Sequence, residues 1–544
     1  MDQGGRRMSW WGWGWEDAAL DAGAAEAVGA TLASMLGVDA PRARPAVDLS
    51  GVSLPPPRFA PPVALRVLCS DDRRSRAAHA QGKSFRDVVR AHAGAIEHPP
   101  DLVAAPRGED DVGALLEWCT AANIAAIPYG GGSSVVGGVE PDVGDGYAGT
   151  VSVDLRALGA VLDVDKQSRA VRTQAGILGP ALEDALRPHG LTLRHFPQSF
   201  EFSSVGGWLA TRSGGHYATL HTHIDDFVES LRAITPRGVI ETRRLPASGA
   251  GPSADRLLLG SEGILGVITE AWLRVQERPR FRASASVRFA LFGDGAAAAR
   301  ALAQSGMHPS NCRLLDATEA LISGAGDGST ALLLVGFESA DHDVEAMITR
   351  ALELCADHGG EQPATVRTSS GESAEGSGDD GASRWRSAFL RAPYMRDALV
   401  TLGWISETFE SAITWDRFAS LHGAVTTATR EALTDACGTG LLSCRFTHVY
   451  PDGCAPYYTV IAPGRPGSSI SQWQQIKRAA SEAILANGGT ITHHHAVGRD
   501  HRPWYDRQRP DLFAAALQAA KRQLDPASIL NPGVLIDPRP VRGS

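Results

Sequence analysis

No run of apolar residues in this 544-residue sequence is long enough to cross a bilayer, which takes about 18 to 20 residues. The N-terminus lacks the charged-then-apolar pattern of a signal peptide, and the C-terminus lacks a peroxisomal or retention tripeptide. Basic residues are not in excess either, because 52 Lys and Arg stand against 61 Asp and Glu, for a net charge of −9. These absences predict a cytoplasmic protein without general affinity for nucleic acid, while a local basic site for an anion remains compatible with them.

Paired cysteines are missing as well. The seven cysteines are scattered and form no Cys-x-x-Cys motif, so we expect reduced thiols and no disulfide framework. Apolar residues make up 43% and charged residues 21%, which suits a globular chain with a sizeable core. This length exceeds one ordinary core, so we expect two large domains or a domain with a cap.

Helix and strand patterns alternate from about residue 100 onward. Apolar residues recur at helical spacing between Asp111 and Ala122, and a short apolar strand at Ile124–Pro128 leads into a glycine loop. The pattern then predicts strands at 151–155 and 170–174, a helix at 180–188, strands on either side of 236–238, and a strand at 265–275.

The composition changes after about residue 280, where Ala-rich helices alternate with strands such as 331–337. The tract 368–383 is rich in Gly, Ser and acidic residues and cannot bury enough apolar surface, so we predict a mobile loop there. We divide the chain into 1–97, a Trp-rich arm and helical segment packing on the body; 98–278, a first domain; 279–505, a second α+β domain; and 506–544, a C-terminal segment returning to the first domain.

Four tryptophans lie within residues 10–15. So many indole rings are costly to leave in water, and we expect them to anchor the arm on the body. A patch that touches a membrane surface is the alternative.

The loop Pro128-Tyr129-Gly130-Gly131-Gly132-Ser133-Ser134 directly follows the strand at 124–128. Its backbone N–H groups can converge on an anion, and a side chain in place of glycine would hold a pyrophosphate away from the backbone. Taken alone, the loop fits an ordinary turn better, because it is neither a Gly-x-Gly-x-x-Gly fingerprint nor a Walker loop.

Three further segments follow this loop in a fixed order. They are Gln198-Ser199-Phe200-Glu201-Phe202-Ser203-Ser204 ahead of Val-Gly-Gly-Trp, then Thr211-Arg212-Ser213-Gly214, then Glu262-Gly263-Ile264-Leu265-Gly266-Val267-Ile268. Together with the glycine loop, this order resembles the FAD-binding domain of the vanillyl-alcohol-oxidase superfamily, the PCMH type. The resemblance implies an α+β protein: a two-subdomain FAD-binding domain at 98–278, and a second α+β cap (substrate) domain whose antiparallel sheet is flanked by helices. It implies that all four segments contact FAD.

Other motifs resemble the alkyldihydroxyacetonephosphate synthase family within that superfamily. They are Trp11-Gly12-Trp13-Gly14, Ser199 to Trp208, Thr235-Pro236-Arg237-Gly238, and Ile491-Thr492-His493-His494-His495-Ala496-Val497-Gly498. The resemblance covers nearly the whole chain and is most specific at the histidine triplet.

The triplet His493-His494-His495 allows three interpretations from its residues alone: a metal tract, a polar loop, or an acid/base cluster. On a strand, consecutive side chains point to opposite faces, so only His493 and His495 would share a side. We predict no bound metal. The family resemblance places all three histidines in the active site, with a part in proton transfer.

Three more residues acquire roles through the resemblance. It implies that Tyr457 is the catalytic tyrosine, with Tyr458 as the alternative if the register slips by one residue. It implies that Arg313 is needed for activity and that Arg396 holds a substrate phosphate. From the residues alone, a tyrosine in an apolar strand is more often a packed aromatic, and an arginine among apolar residues more often a salt-bridged one.

The reaction that the resemblance implies exchanges the acyl chain of 1-acyl-dihydroxyacetone phosphate for a fatty alcohol, through a bond to flavin N5 and without net redox change. This is a step of ether lipid synthesis. The rival is an FAD-linked 2-hydroxy-acid dehydrogenase or oxidase of the same superfamily, whose branch carries a metal site. The stretch 447–453 keeps one histidine of that site but lacks the second, and His494 stands where its carboxylate would be.

We expect FAD to be held non-covalently, because residues 123–134 contain neither His nor Cys. The expected partners are a lipid-like phosphate substrate, a fatty alcohol, a second copy of the chain in a homodimer, and a membrane surface touched peripherally.

Overall fold

The computed structural model describes residues 6–363, 365–371 and 381–538. Within them, no helix is long and apolar enough to span a membrane. The chain forms a first α+β domain of two subdomains and a second α+β domain built on one large antiparallel sheet.

The N-terminal arm packs on the body through its tryptophans. Trp10, Trp13 and Trp15 are each less than a tenth exposed, so they are unavailable for membrane contact. The backbone N–H of Trp13 donates to the carboxylate of Asp397, 2.6 Å away. The arm continues through α1 (Ala22–Leu36), β1 (Cys69–Ser70), α2 (Arg73–Ala78) and α3 (Phe85–His92).

The first subdomain is a four-stranded sheet in the order β1-β2-β4-β3. Its further elements are β2 (Leu102–Ala104), α4 (Glu109–Ala122), β3 (Ile124–Tyr129) and β4 (Gly149–Asp154). Strands β2, β4 and β3 run parallel, while β1 from the arm adds an antiparallel edge. The strand predicted at 151–155 corresponds to β4, an inner strand that is buried on both faces, as inner parallel strands are.

The second subdomain is a five-stranded antiparallel sheet in the order β5-β6-β10-β8-β9. Its elements are β5 (Val161–Asp165), β6 (Ala170–Gln174), α5 (Gly179–Leu186), β7 (Leu191–Thr192), α6 (Val205–Thr211), β8 (Val228–Thr235), β9 (Gly238–Glu241), α7 (Asp255–Leu258), β10 (Val267–Arg274) and β11 (Gln276–Glu277). Helix α4 packs between the two sheets, where Leu115 and Leu116 share a buried cluster with Ile234 and Val267. The strands predicted at 170–174 and around 236–238 are confirmed.

The second domain is an eight-stranded sheet in the order β15-β12-β14-β13-β18-β19-β16, with β17 paired to β19. Its elements are β12 (Phe281–Phe289), α8 (Phe292–Gln304), β13 (Asn311–Leu315), α9 (Ala317–Ile322), β14 (Ala331–Ser339), α10 (Glu345–Ala356), β15 (Val366–Ser370), α11 (Gly381–Thr401), β16 (Trp404–Glu410), β17 (Ile413–Thr414), α12 (Trp415–Cys437), β18 (Leu441–Val449), β19 (Gly453–Pro463) and α13 (Ser469–Ala486). The predicted antiparallel sheet flanked by helices is therefore confirmed.

The prediction of a mobile loop at 368–383 is wrong at both ends of this tract. Residues 368–370 belong to β15, which pairs with β12, because alternating backbone hydrogen bonds can order even a polar edge strand. Residues 381–383 begin α11. The centre of the tract, 372–380, lies outside the described residues.

The C-terminal segment returns to the first domain through α14 (Arg502–Gln508) and α15 (Asp511–Leu524). The buried ammonium of Lys521 pairs with Asp525 and donates to the carbonyls of Ile264 and Leu530, each at 2.7 Å. Leu530 also bridges to Ala126 of β3. These contacts set the end of the chain against the strand that leads into the glycine loop.

Candidate active site

One large cavity lies between the two domains, with a volume of about 1570 Å³ that includes space open to solvent. The glycine loop after β3, helix α6 and the segment around Glu262 form its wall on the first domain. Strands β13, β18 and β19, helix α11 and the histidine loop form the opposite wall. Sequence segments that lie more than 300 residues apart therefore face one space.

The glycines of the loop are required by the close approach of a second loop. A β-carbon on Gly131 would lie 1.8 Å from the carbonyl oxygen of Phe202, and one on Gly130 would lie 2.1 Å from Oγ of Ser204. Gly132 has φ +67°, a conformation that favours glycine. Contact between the two loops is therefore a second reason for these glycines, independent of the access that they give an anion to the backbone.

Most of the predicted cofactor-binding residues line the cavity. They are Pro128, Tyr129, Gly130, Gly131, Gly132, Ser133, Ser134, Gln198, Ser199, Ser204, Thr211, Ser213, Gly214, Glu262, Gly263, Gly266 and Ile268. Ser204 is also the N-cap of α6, where its hydroxyl accepts from the backbone N–H of Gly207. Asn531 joins them from the C-terminal segment, and its Oδ1 is buried without a hydrogen-bond partner among the described residues.

Eight of the predicted cofactor residues do not line the cavity, because their side chains hold its wall together from behind. Ser203 accepts from the indole N–H of Trp208, and Arg212 pairs with Asp225. The others are Phe200, Glu201, Phe202, Ile264, Leu265 and Val267. The sequence placed whole motifs at the cofactor, whereas backbone geometry turns only some residues of each motif toward the cavity.

Strand pairing assembles the polar wall of the second domain. Tyr457 on β19 lies directly opposite Glu410 on β16 and Arg445 on β18. Arg445 also pairs in register with Leu315, two residues from Arg313 on β13, so that Arg313 falls on the same face. One row across β18, β19 and β16 thus carries an arginine, a tyrosine and a glutamate, and Arg313 lies on the same face of β13, two residues along the strand.

Tyr457 is buried at the centre of this row and lines the cavity. The guanidinium of Arg445 lies 4.0 Å above its ring, and Nη2 of Arg396 on α11 is 3.4 Å from its hydroxyl. Tyr458 faces the other side of β19, where its hydroxyl meets Nδ1 of His422 at 3.1 Å. Of the two tyrosines that the sequence left open, only Tyr457 lines the cavity.

Arg313 carries a buried charge on the cavity wall. Its Nη2 donates to the carbonyl of His216, and its guanidinium lies 4.6 Å from the ring of Trp385. In the part of the chain that the structure describes, no carboxylate pairs with it. Burial, together with the nearby charge of Arg445, lowers the pKa of Arg313 to about 9. Such a cation is stabilised by an anion that enters the cavity.

The histidine triplet lies on a loop wrapped around Glu410, and not on a strand as the alternation argument assumed. Oε1 of Glu410 accepts from the backbone N–H groups of His493, His494 and His495 at 3.1, 2.6 and 2.6 Å. His494 and His495 therefore line the cavity together, while His493 points away toward Tyr450.

Burial and charge set the protonation of this region. Burial holds the pKa of His493 and of His495 well below its usual range, so both rings are neutral at pH 7. Burial would raise the pKa of Glu410, but the facing histidines, His494 first, hold it well below its usual range. Glu262, which accepts backbone N–H bonds from Val497 and Gly498, has its pKa raised to about 7 by burial.

The sequence reasoning missed Glu410. A signal was present in Trp404–Glu410, where Ser406, Thr408 and Glu410 occupy alternate positions of the strand. That spacing turns three polar side chains to one face, which is typical of a strand that lines a polar site.

Two family models match the chain: "FAD binding domain" over residues 100–243 and "FAD linked oxidases, C-terminal domain" over residues 278–535. Fold, cavity and these models define an FAD-dependent enzyme of the FAD-linked oxidase type. More narrowly, the chain belongs to the alkyldihydroxyacetonephosphate synthase family. It is 30% identical to the alkyldihydroxyacetonephosphate synthase of Dictyostelium discoideum, over 90% of this chain and 83% of that protein.

Other relatives agree with this assignment. The alkyldihydroxyacetonephosphate synthase of Trypanosoma brucei brucei is 28% identical over 90% of this chain and 82% of its own length. A solved alkyldihydroxyacetonephosphate synthase superposes with a TM-score of 0.77 at 25% identity, covering 98% of this chain and 99% of its own. A p-cresol methylhydroxylase structure, with a TM-score of 0.67 at 13% identity over 87% and 94% of the two chains, shares the fold.

The residues present fit FAD. The cavity has room for a dinucleotide, its first-domain wall is mostly backbone and small side chains, and the glycine loop leaves N–H groups uncovered at the end of a strand. The unpartnered Oδ1 of Asn531 is a polar atom that a ligand can satisfy. The residues of the first-domain wall would therefore hold FAD, with the polar wall of the second domain opposite.

Proposed function

We propose that the chain exchanges the acyl group of 1-acyl-dihydroxyacetone phosphate for a fatty alcohol, releasing a fatty acid without net redox change. Family membership supports this reaction. The observation that carries it is the buried guanidinium of Arg313, which has no carboxylate partner among the described residues and lies on the wall opposite the FAD cradle. Both the phosphate of such a substrate and the departing carboxylate are anions that this charge would stabilise.

The side chains of the second domain have different proposed roles. Arg396 reaches the cavity from α11 and is the proposed ligand of the phosphate. Arg313 stabilises negative charge that develops on the leaving carboxylate, whereas Arg445 on the same wall is already paired with Glu319. Tyr457, His494 and His495 lie within reach of the same space and take up or return the proton at the reacting carbon and the alcohol hydroxyl.

FAD, when bound, supplies an electrophilic ring against which the reacting carbon is held. The remaining predictions are that FAD is held without a covalent bond, that two copies of the chain form a dimer, and that the enzyme meets its lipids at a membrane surface. The burial of three of the four tryptophans means that such a surface contact would have to use another part of the molecule.

The rival function is an FAD-linked 2-hydroxy-acid dehydrogenase. Sequence similarity gives it some support, since a mitochondrial D-lactate dehydrogenase (cytochrome) of Arabidopsis thaliana is 27% identical over 81% of this chain. The stretch 447–453 keeps one histidine of that branch's metal motif and lacks the second, so the motif is incomplete. Two arginines of the cavity, Arg313 and Arg396, have no carboxylate partner among the described residues, which suits a substrate that carries a phosphate as well as a carboxylate leaving group.

The test follows a labelled fatty alcohol into a phosphate-bearing product, with purified holoenzyme and 1-acyl-dihydroxyacetone phosphate. We expect transfer of the label and release of fatty acid. Arg313→Met should reduce the transfer by about 100-fold or more, because one hydrogen-bonding cation at a developing charge contributes about 3 kcal/mol. Arg313→Lys should recover part of it. Retention of FAD and an unchanged melting temperature show that the variants are folded. Absence of transfer by folded, FAD-loaded wild-type protein would exclude the function.

A further inference from the structure

A small chamber adjoins the main cavity at Arg396. Trp13, Val135 and Arg396 line both spaces, so the two are neighbours along this wall. Nη2 of Arg396 donates to the hydroxyl of Thr408 in the chamber, and the same atom lies 3.4 Å from the hydroxyl of Tyr457 in the cavity. A group bound in the chamber is therefore separated from Tyr457 by one guanidinium.

The Trp-Gly-Trp-Gly motif of the N-terminal arm, residues 11–14, places Trp13 in the wall of this chamber. A β-carbon on Gly12 would lie 2.2 Å from Oδ2 of Asp397, the residue that follows Arg396 on α11. The backbone N–H of Trp13 donates to the same Oδ2 at 2.6 Å. Glycine lets the arm approach α11 closely, and the indole ring of Trp13 is thereby held beside Arg396.

Lys83 reaches the chamber from the segment that precedes α3. A β-carbon on Gly82 would lie 2.3 Å from the carbonyl oxygen of Ser134, and the backbone N–H of Lys83 donates to that same oxygen at 2.6 Å. Ser84 then caps α3 by accepting from the backbone N–H of Asp87. The backbone of the lysine is therefore fixed against the end of the glycine loop, while its side chain lines the chamber.

Three donors in the chamber walls are left without an acceptor or without a counter-charge. The indole N–H of Trp13 has no hydrogen bond to any described residue, and this tryptophan is only 4% exposed. The ammonium of Lys83, which is 7% exposed, has neither a hydrogen bond nor an ion pair in the part of the chain that the structure describes. Arg396 bonds two hydroxyls but no carboxylate there. Buried donors of this kind are costly unless a ligand supplies the acceptor.

The carboxylates around the chamber have other partners. Asp397 and Asp87 attract the ammonium of Lys83 only at longer range than an ion pair, and neither of them lines the chamber. Asp397 accepts from the backbone of the arm, and Asp87 pairs with an arginine of α3. Burial also raises the pKa of Asp397, which weakens it as a counter-ion. Glu407 does line the chamber, but it pairs with a buried lysine of α13 at 3.0 Å.

We propose that this chamber binds the phosphate of the substrate, with the ammonium of Lys83 and the indole N–H of Trp13 as ligands beside Arg396. The subsite rests on the proposed function and deepens it, because it adds two residues that recognise the phosphate. Two cations and a neutral donor suit a phosphate monoester, which carries up to about two charges and three terminal oxygens. A carboxylate offers fewer of both, and Arg313 in the main cavity remains for it.

Binding without turnover tests the subsite separately from the reaction. FAD-loaded holoenzyme is titrated in a calorimeter with dihydroxyacetone phosphate and, in a second series, with decanoate, which carries only a carboxylate. We expect Lys83→Met to weaken the binding of dihydroxyacetone phosphate by about 10- to 100-fold and Trp13→Phe by about tenfold. The affinity for decanoate should stay unchanged in both variants. Lys83→Arg should recover part of the phosphate affinity, because it restores the charge.

Two matched controls make the same substitutions away from the chamber. Lys166→Met replaces an exposed lysine, and Trp11→Phe replaces the neighbouring tryptophan of the arm, which does not line the chamber. Both should bind dihydroxyacetone phosphate like the wild type. Retained FAD and an unchanged melting temperature show that each variant is folded.

The outcomes separate the subsite from the reaction. Absence of binding by the wild type, unchanged binding in Lys83→Met and Trp13→Phe, or an equal loss of affinity for decanoate in these variants would each overturn the subsite. Binding that depends on both residues, in an enzyme that transfers no alkyl chain, would support the subsite and refute the proposed reaction.

Discussion

Tyr457 and its neighbour Tyr458 show how much depends on one residue of register. Both are buried in β19, but their hydroxyls face opposite sides of the sheet: Tyr457 faces Arg396 and the cavity, and Tyr458 faces His422 within the second domain. The reaction at the cavity should therefore depend on the hydroxyl of Tyr457, and the stability of the fold on the hydroxyl of Tyr458.

The matched pair Tyr457→Phe and Tyr458→Phe tests this division. We expect Tyr457→Phe to lower the rate of acyl exchange by about 100-fold or more with the melting temperature preserved, because a proton-transferring group is removed. Tyr458→Phe should keep the rate and lose about 1 kcal/mol of stability, the contribution of one buried hydrogen bond. Steady-state rates and thermal unfolding give both values, and equal rates for the two variants would contradict the assignment.

Glu262 makes a pH-dependent contribution to stability. Burial raises its pKa in the folded protein to about 7, above the value of about 4.3 in an unfolded chain. The folded state therefore holds this proton more tightly, so the contribution is fully present below about pH 4.3 and is lost as the pH rises to about 7.

Between pH 5 and pH 8, the free energy of unfolding should therefore fall less in Glu262→Gln than in the wild type. The difference between the two decreases should reach up to about 3 kcal/mol. Urea unfolding with excess FAD at both pH values measures this difference. Glu117→Gln, at an exposed position of α4, is the control and should follow the wild type. Parallel curves for Glu262→Gln and the wild type would show that the carboxyl is not perturbed.

At the scale of elements, pairing among β13, β18, β19 and β16 builds the polar wall. Glu410, Tyr457 and Arg445 become neighbours only because three strands align in one register. The first-domain wall depends instead on two loops packed backbone to backbone, with Gly131 against Phe202.

Gly131→Ala should disrupt this loop contact. Its new β-carbon would lie 1.8 Å from the backbone carbonyl oxygen of Phe202, so one of the two loops must shift. If this shift costs about 1–3 kcal/mol in the FAD-bound state, the affinity for FAD should fall by about tenfold or more. The control Gly113→Ala lies within α4 with open space around it and should keep its FAD. Flavin content after gel filtration is the measurement; full retention by Gly131→Ala would contradict the contact.

For the whole molecule, local patterns predicted most of the first domain. The strand before the glycine loop, the strand at 170–174 and the helix after Asp111 depend on periodicity and turn residues within about ten positions, and the structure has all three. The positions of Tyr457, Arg313 and Arg396 on one cavity were predictable only through the family resemblance.

The surroundings of the histidine triplet could not be predicted from local patterns. Glu410 reaches the triplet because β16 pairs with β19 across nearly fifty residues of sequence, and His223 reaches it from the first domain. Periodicity contains no information about such contacts, which depend on how the domains pack. The assumption that the triplet lies on a strand was wrong for the same reason. The backbone N–H groups of the three histidines donate to the buried carboxylate of Glu410 and not to a neighbouring strand.

The central claim is that FAD in this cavity serves an exchange of groups and not an oxidation. The most direct test is the stoichiometry of the reaction in holoenzyme supplied with 1-acyl-dihydroxyacetone phosphate, labelled fatty alcohol and an artificial electron acceptor. The account predicts one fatty acid released for each labelled alkyl chain incorporated, with no acceptor reduced. Reduction of the acceptor in step with product, or reduction driven by a 2-hydroxy acid without alkyl incorporation, would contradict it.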